Sequence, residues 1–334
     1  MRLLLDLGRV AGPGGMPDLS ATGPVDAILL SHMHPDHAGA LALAGEAGDP
    51  PIHATPLTAA SLALDGARPL PLHGEACIAG LTVRTGRNGH APGGIWLHLG
   101  VGDGLLFCGD LAFRSPLYPF DRPPPAASVV LDASFGLRDD PPGLHLRDLA
   151  ASVAEGGPML LPAPAWGRGP ELALAAHRLG ARVALDRPLR DVLAVLASAP
   201  AAILPAAMPE LAALAREAEA AETAEAGNLV IVTSDPRAEA GATAAWCARL
   251  RAVPGAIRFT GHRPPGSAAE GLVASGAATL LSWPVHPMLS ENADLLRAVC
   301  ARQAMAAFCD QALLPGLGRA FGGVALIAGP EMAL

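Results

Sequence analysis

The residues that could do chemistry are concentrated in "SHMHPDHAGA", where three histidines and an aspartate fall within the six positions His32 to His37. Histidine nitrogen and carboxylate oxygen are ligands that zinc and similar divalent ions accept. His32 and His34 are two apart, so on an extended segment both project to one side. Asp36 and His37 follow where Pro35 turns the chain into a helix. One pair can serve one ion and the next pair a second. Two ions about 3.5–4 Å apart can clamp a displacement reaction and share an activated hydroxide. Such a centre needs further ligands, and candidates stand at strand ends. His90 lies in the Gly-rich turn "RNGHAPGG", and Asp110 closes the apolar run "LLFCGD", where a carboxylate could bridge two ions. His98, in "IWLHL", reads as an ordinary strand residue. His53, His73, His145 and His177 have no motif around them and read as structural or surface residues.

The elements that must position these residues follow from hydrophobic pattern and turn signals. "LLLDLG", "DAILLS", "IHATP", "LTVRTG", "GIWLHLG", "GLLFCGD" and "SVVLDASFG" have strand length and character, and "DHAGALALAGEAG" reads as helical. From about residue 139 the rhythm becomes an alternation. "HLRDLAASVAEGG", "GPELALAAHRLG", "RPLRDVLAVLASA" and "PELAALAREAEAAETAEAG" predict helices, separated by the strands "PMLLPAP", "RVAL" and "NLVIVTS". That order predicts parallel strands with crossover helices. The acidic run "AREAEAAETAEAG" reads as a solvated helix face. The last part, "ATLLSWPVHP", "SENADLLRAVCARQ", "AMAAFCD" and "GGVALIAG", reads as a return to strand–helix units.

At 334 residues the chain is long enough for one large or two intergrown domains. All 23 basic residues are arginine, and the formal net charge is −8. That balance argues against tight, non-specific nucleic-acid binding but leaves room for a local arginine patch. The five cysteines show no CxxC pair and read as thiols of a reducing compartment. "MRLLLDLG" is too short for a signal peptide, and no run approaches the length of a membrane span. A cytoplasmic protein without membrane contact is expected.

Asp6 in "LLLDLG", "SHMHPDHAGA", "NGHAPGG" and "LLFCGD" resemble the successive motifs of the metallo-β-lactamase fold. The resemblance implies an α/β protein with an αββα sandwich and its metals at one sheet edge. It places His32, His34 and His90 on one metal, Asp36 and His37 on the other, and Asp110 between them. Asp6 would buttress the loop from behind, orienting the ligands. "SVVLDASFGLR", with Asp132, is similar to the acidic motif that opens the β-CASP branch. "LPAPAWGRGPELALAAHRL", "VTSDPRAEAGATAAW" and "IRFTGHRPPGSAAEGL" resemble that branch's later segments. Members of the branch are mostly nucleases of RNA or DNA, with the β-CASP region inserted as a lid. The resemblance therefore implies a first metallo-β-lactamase part over residues 1–138, a parallel α/β insertion over 139–262, and a C-terminal return over 263–334. It implies two divalent ions, most simply Zn2+, and a metal-activated hydroxide attacking a phosphodiester. His286, in "LLSWPVHP", stands where the branch carries a proton donor for the leaving oxygen. Asp36 and Asp132 join it as catalytic candidates. Arg168 offers a fork donor for phosphate, and "GHRPPGS" offers His262, Arg263, Gly266 and Ser267 for further phosphate contacts.

The sequence departs from the branch in three places. The family's last metal-binding histidine is missing, since no histidine follows His286; "MAAFCDQALL" leaves Cys309 or Asp310 to stand in. One or two strands normally precede "LLLDLG"; either an edge hairpin is lost, which would favour association into a homodimer, or the true start lies earlier. No added RNA-binding domain accompanies the acidic charge. The leading expectation is a metal-dependent nuclease cutting single-stranded RNA in preference to DNA. The alternatives are a small-molecule ester or thioester hydrolase of the same fold, and a catalytically silent binding subunit.

Overall fold

The structure is a computed structural model that describes residues 1–10, 15–261, 263–329 and 331–332. It divides into two compact units, Met1–Asp139 with Val285–Leu334, and Asp140–Pro284.

The first unit opens with β1 (Leu3–Leu5), β2 (Ala27–Leu29), β3 (Ile52–Ala54) and β4 (Arg68–Pro69), a parallel sheet in sequential order. Next come β5 (Gly74–Ile78), β6 (Leu81–Arg87), β7 (Ile95–Leu99) and β8 (Leu105–Phe107), antiparallel neighbours, with β9 (Ser128–Asp132) parallel to β8. The second unit contributes β10 (Pro158–Pro162), β11 (Val183–Leu185), β12 (Glu219–Ala220) and β13 (Leu229–Thr233), a parallel sheet in the order β10-β13-β11-β12, and the parallel pair β14 (Arg258–Phe259) and β15 (Thr279–Leu280). The chain then returns to the first unit. There β16 (Gln303–Ala307) pairs with β9, and β17 (Ala325–Leu326) pairs with β16, giving a seven-stranded sheet.

Side-chain alternation along these strands builds the expected αββα layers. A strand sends successive residues to opposite faces. Ala27 and Leu29 of β2 meet Val83, Leu97, Leu105 and Phe107 of the larger sheet in one buried cluster. Ile28 and Leu30 point the other way, onto Ala38, Ala40 and Ala44. On the far side of the larger sheet, Leu106, Val129 and Leu131 pack against Leu295, Leu296, Leu317 and Phe321. Those four side chains come from the helices Leu289–Ala298 and Leu314–Ala320 and the residue that follows. Each fully buried Leu or Ile side chain contributes about 1.5–3 kcal/mol relative to exposure.

The structure differs from the sequence reading in several elements. "DHAGALALAGEAG" is a single helical turn, Pro35–Ala38, followed by a 3-10 stretch, Leu41–Ala47. The strand β5 was not expected. It joins β6 through a two-residue turn, Ala79-Gly80, with both φ values positive at 49° and 84°. That is the hairpin geometry usually signalled by Asn-Gly or Asp-Gly, and alanine hides it. The helix Met208–Glu217 stops before the end of the acidic run. Glu219 instead sits on β12, and Trp246 Nε1 donates to the Ala221 carbonyl at 2.9 Å. The acidic run is not a plain solvated face. Glu219 accepts from Arg182 at 2.6 Å and Glu222 from the Arg187 backbone N–H at 2.7 Å. The second unit also extends past residue 262 to Pro284, because Ala269, Leu272, Val273 and Ala278 pack with Leu160, Trp246 and Phe259. No helix among the described residues is long and apolar enough to cross a membrane.

Candidate metal centre

Three strand ends and one loop of the first unit deliver the ligand-type side chains to one place. His32 and His34 follow β2, His90 follows β6, and Asp110 follows β8. Each therefore sits at the C-terminal end of its strand. The His32–His37 loop is clamped from below by the tail of β1. Leu7 N donates to His37 O at 2.8 Å, Arg9 N to Pro35 O at 2.8 Å, and Ala40 N to Leu7 O at 3.0 Å. This contact leaves no room for a side chain at residue 8. A Cβ on Gly8 would lie 1.6 Å from the Asp36 carbonyl oxygen. Gly109 has φ +54°, and a Cβ there would meet the Ser31 side chain at 2.7 Å.

The donor atoms form three groups, each with all its ligand atoms within 4.8 Å of one another: His32, His34, His90 and Asp110; Asp36, His37 and Asp110; and Asp110, Asp132 and His286. In the first group His34 Nδ1 is 3.0 Å from His32 Nε2 and 3.0 Å from His90 Nε2. Asp110 Oδ2 is 3.6 Å from His32 Nε2 and 3.3 Å from His90 Nε2. A tetrahedron with ligands at ~2.0–2.1 Å has edges of ~3.3 Å, so these separations fit a zinc-sized ion. The other oxygen of Asp110, Oδ1, faces His37 Nε2 at 3.1 Å. The carboxylate thus turns one oxygen to each group. Asp36 Oδ2 lies 3.8 Å from His37 Nε2, and its side chain is 65% exposed.

The outer partners set the tautomers. His90 Nδ1 donates to the Val285 carbonyl at 2.7 Å, leaving Nε2 with its lone pair free. His37 Nδ1 donates to Asp6 Oδ2 at 2.7 Å. Asp6 also accepts from Ser31 N at 2.6 Å and Ser31 Oγ at 2.7 Å. Since Ser31 Oγ gives its proton to Asp6, it accepts from His32 Nδ1 at 3.0 Å. One carboxylate therefore aims both His32 Nε2 and His37 Nε2 at Asp110, the task of a support behind metal ligands. His37 Nε2 is buried and makes no well-aligned hydrogen bond among the described residues, although Asp110 Oδ1 lies 3.1 Å away. Burial, reinforced by His37, His34 and other histidines, holds His32 well below the ordinary histidine range. Burial, reinforced chiefly by His34 and His286, does the same for His90. Both are thereby kept neutral, as ligation requires. At His37 burial works in the same direction, but Asp110 and Asp6 outweigh it and raise the group well above that range.

Asp132 ends β9 and is fully buried. It accepts from Leu111 N at 2.9 Å, Ser134 N at 3.1 Å, Ser134 Oγ at 2.6 Å and His286 Nδ1 at 2.9 Å. Burial opposes its charge, yet His286 and these donors hold it below the ordinary carboxylate range. The His286 ring centroid is 4.9 Å from that of His90.

Other expected residues land elsewhere. Asp310 is not drawn into any ligand group. It is exposed, and its Oδ1 accepts from Ala312 N at 2.8 Å, capping a 3-10 turn. Cys309 turns its Sγ to the Ala306 carbonyl at 3.9 Å. Ser267 caps the helix Ala268–Ala274, its Oγ accepting from Glu270 N at 3.2 Å, so its hydroxyl already has a structural task. Arg263 Nη1 donates to the Gly261 carbonyl of its own loop at 3.1 Å. Arg168 opens the helix Arg168–Arg178, with its guanidinium laid over Gly261, where a Cβ would come within 1.7 Å of Nη1. Its Nε has no partner among the described residues, and burial, opposed by Glu171, pushes its pKa down to about 10. His262 lies outside the described residues. His98 Nε2 bonds the Pro125 carbonyl at 3.1 Å, a structural contact. The sequence reading did not single out Ser31, Gly8, Gly109 or Asn88, whose Oδ1 accepts from His90 N at 3.0 Å. The glycine between a strand and Asp110 was the one visible sign.

Two packed sheets flanked by helices, with a histidine–carboxylate cluster at the strand ends, define an αββα metallo-hydrolase fold. Residues 21–152 match the family model for the metallo-beta-lactamase superfamily, so this part of the chain carries a domain of that superfamily. A curated relative, ribonuclease TTHA0252 of Thermus thermophilus, is 28% identical over 229 residues, which is 56% of this chain and 53% of that protein. The chain thus spans about half the length of that relative.

Proposed function

We propose that the chain is a metal-dependent phosphodiesterase of the nuclease type, acting on single-stranded RNA, and that its second unit is a β-CASP insertion. The observation that carries this reading is the His286–Asp132 pair standing beside the His32, His34, His90 and Asp110 group. Zinc bound by that group would supply Lewis acidity and an activated water. The chain's own residues would do the rest. Asp110 and the three histidines hold the ion, and Asp6 through Ser31 keeps them aimed. Asp132 orients His286 through Nδ1, and the imidazole would deliver a proton to a departing alkoxide. Expelling the alkoxide of a nucleic-acid phosphodiester needs that proton; expelling a thiolate or a nitrophenolate does not. The relative named as a ribonuclease points the same way.

The net charge of −8 favours a second reading, an ester or thioester hydrolase of the same fold. The test sets labelled single-stranded RNA and single-stranded DNA against nitrophenyl phosphodiesters and thioesters. Cleavage of RNA that is lost with Asp110→Ala and with chelator supports the proposal. Thioester turnover with RNA left intact moves the assignment to the second reading. Inactivity on all substrates with metal bound would leave a binding subunit.

A further inference from the structure

The two halves of the metal cluster are unequal. The first has four donors, three histidines and one oxygen of Asp110. The second has Asp36, His37 and the other oxygen of Asp110, and among the described residues no further histidine, cysteine or carboxylate joins it. Asp36 is moreover the most exposed of these side chains. A residue placed to complete the second half does exist. In the parallel pairing of β16 with β9, Ala307 lies opposite Asp132, and Ala133 N donates to the Ala307 carbonyl at 3.1 Å. The next residue, 308, therefore emerges at the same sheet end as the ligands. It is Phe308, with φ +60° and its ring centroid 5.1 Å from that of His37. A phenyl ring donates nothing to a cation. The two neighbours that could donate are turned away, Cys309 onto the Ala306 carbonyl and Asp310 onto Ala312 N.

We propose that Phe308 walls off the second half of the centre, so that the chain holds one divalent ion tightly at His32, His34, His90 and Asp110 and leaves the Asp36–His37 position short of a ligand. The inference rests on reading the cluster as a metal centre, but not on what the chain cleaves. The left-handed backbone at 308 tolerates histidine, one of the residues enriched there, and half of the Phe308 side chain is already in solvent. Phe308→His therefore adds a nitrogen donor beside His37 with little disturbance.

The experiment counts metal in the full chain. Wild type, Phe308→Ala and Phe308→His are loaded with Zn2+, dialysed and measured by elemental analysis, with thermal unfolding as the check on folding. A parallel Co2+ titration follows the visible ligand-field bands. The expected stoichiometry is one Zn2+ per chain for wild type and Phe308→Ala, and two for Phe308→His. The Co2+ bands should saturate at one equivalent in wild type and acquire a second class in the histidine variant. Two tightly held ions in wild type overturn the proposal. So does a folded Phe308→His that still holds one. Should the histidine variant fail to fold, the wild-type Co2+ titration decides alone, saturation at one equivalent supporting the proposal and at two refuting it. No metal in any variant overturns the reading of the cluster itself, a result distinct from RNA left uncut by a zinc-loaded protein.

Discussion

Replacing Asp132 by asparagine should separate the proton-donor role proposed for His286 from metal binding. Asparagine keeps the shape of a side chain that is fully buried and accepts hydrogen bonds from Leu111 N, Ser134 N, Ser134 Oγ and His286 Nδ1. It removes the charge and turns one acceptor into a donor. If its NH2 faces His286, Nδ1 loses its acceptor and the protonated imidazole loses its counter-charge. If the NH2 faces Ser134 instead, two donors meet. Either arrangement costs stability of about 1–3 kcal/mol. The larger effect is on chemistry. A positioned general acid contributes about 10²–10⁴ in rate, which is about 2.7–5.4 kcal/mol of barrier. That loss should depend on the leaving group. The ribose alkoxide of RNA needs a proton, while nitrophenolate departs without one. Asp132→Asn should thus lose about 10²–10⁴ in turnover on single-stranded RNA and less than about tenfold on a nitrophenyl phosphodiester, with metal content unchanged. His286→Ala should show the same split. Equal losses on both substrates with metal retained would refute the reasoning, because they would make the pair structural rather than a proton source.

Other substitutions probe the scaffold. Asp6→Asn turns an NH2 toward His37 Nδ1 or Ser31 and upsets the tautomers of His32 and His37, so metal affinity should weaken about 10–100-fold in a chelator competition; unchanged affinity would remove Asp6 from that role. Gly8→Ala places a Cβ 1.6 Å from the Asp36 carbonyl, and the displaced loop should lower the melting temperature and release metal together. Asp121→Asn breaks the pairing in which Asp121 accepts from Arg87 Nε at 2.8 Å and Nη2 at 2.7 Å. Arg87 is partly open to water, so the cost should stay near about 1–2 kcal/mol in denaturant unfolding. The same pair predicts a pH effect. Burial opposes the Asp121 charge, but Arg87 holds the carboxyl below its ordinary value of 3.8. The stabilisation is then complete above that value and is lost as the pH falls through the lower, folded one. The asparagine variant should lack that part of the acid destabilisation.

The strands were legible where burial on both faces wrote continuous apolar runs. Ala27–Leu29 and Leu105–Phe107 are such runs, and their alternating contacts made the two sheets a sandwich. The parallel sheet of the second unit was legible from the alternation of helices with short apolar strands. What was not legible depended on partners distant in sequence. β5 hides behind an alanine in a left-handed turn. The acidic run after Glu217 looks helical until the arginines at 182, 187 and 190 are brought across from a neighbouring segment. Composition carries no record of which charge meets which.

The metal cluster divides along the same line. Its ligand-type residues could be picked out because their types and spacing suggest the chemistry: His32 and His34 are two apart on one loop, and Asp110 stands at a strand end. The supports could not be read, because a serine or glycine has many uses and acquires this one only through contact. Ser31 relays the Asp6 carboxylate to His32, and Gly8 exists to let β1 lie on the Asp36 carbonyl. Asp310, expected as a stand-in beside Cys309 for the second position, lies in none of the ligand groups, for a related reason. A carboxylate after a strand is as well suited to capping the next turn as to holding an ion, and here Asp310 Oδ1 accepts from the Ala312 backbone N–H at 2.8 Å. Phe308 shows the converse. No rule of ligand type would select a phenylalanine, yet its place one residue beyond the β9–β16 pairing sets it against His37, where a donor would be needed. On the proposed reading, the number of ions this centre holds depends on a residue that binds none.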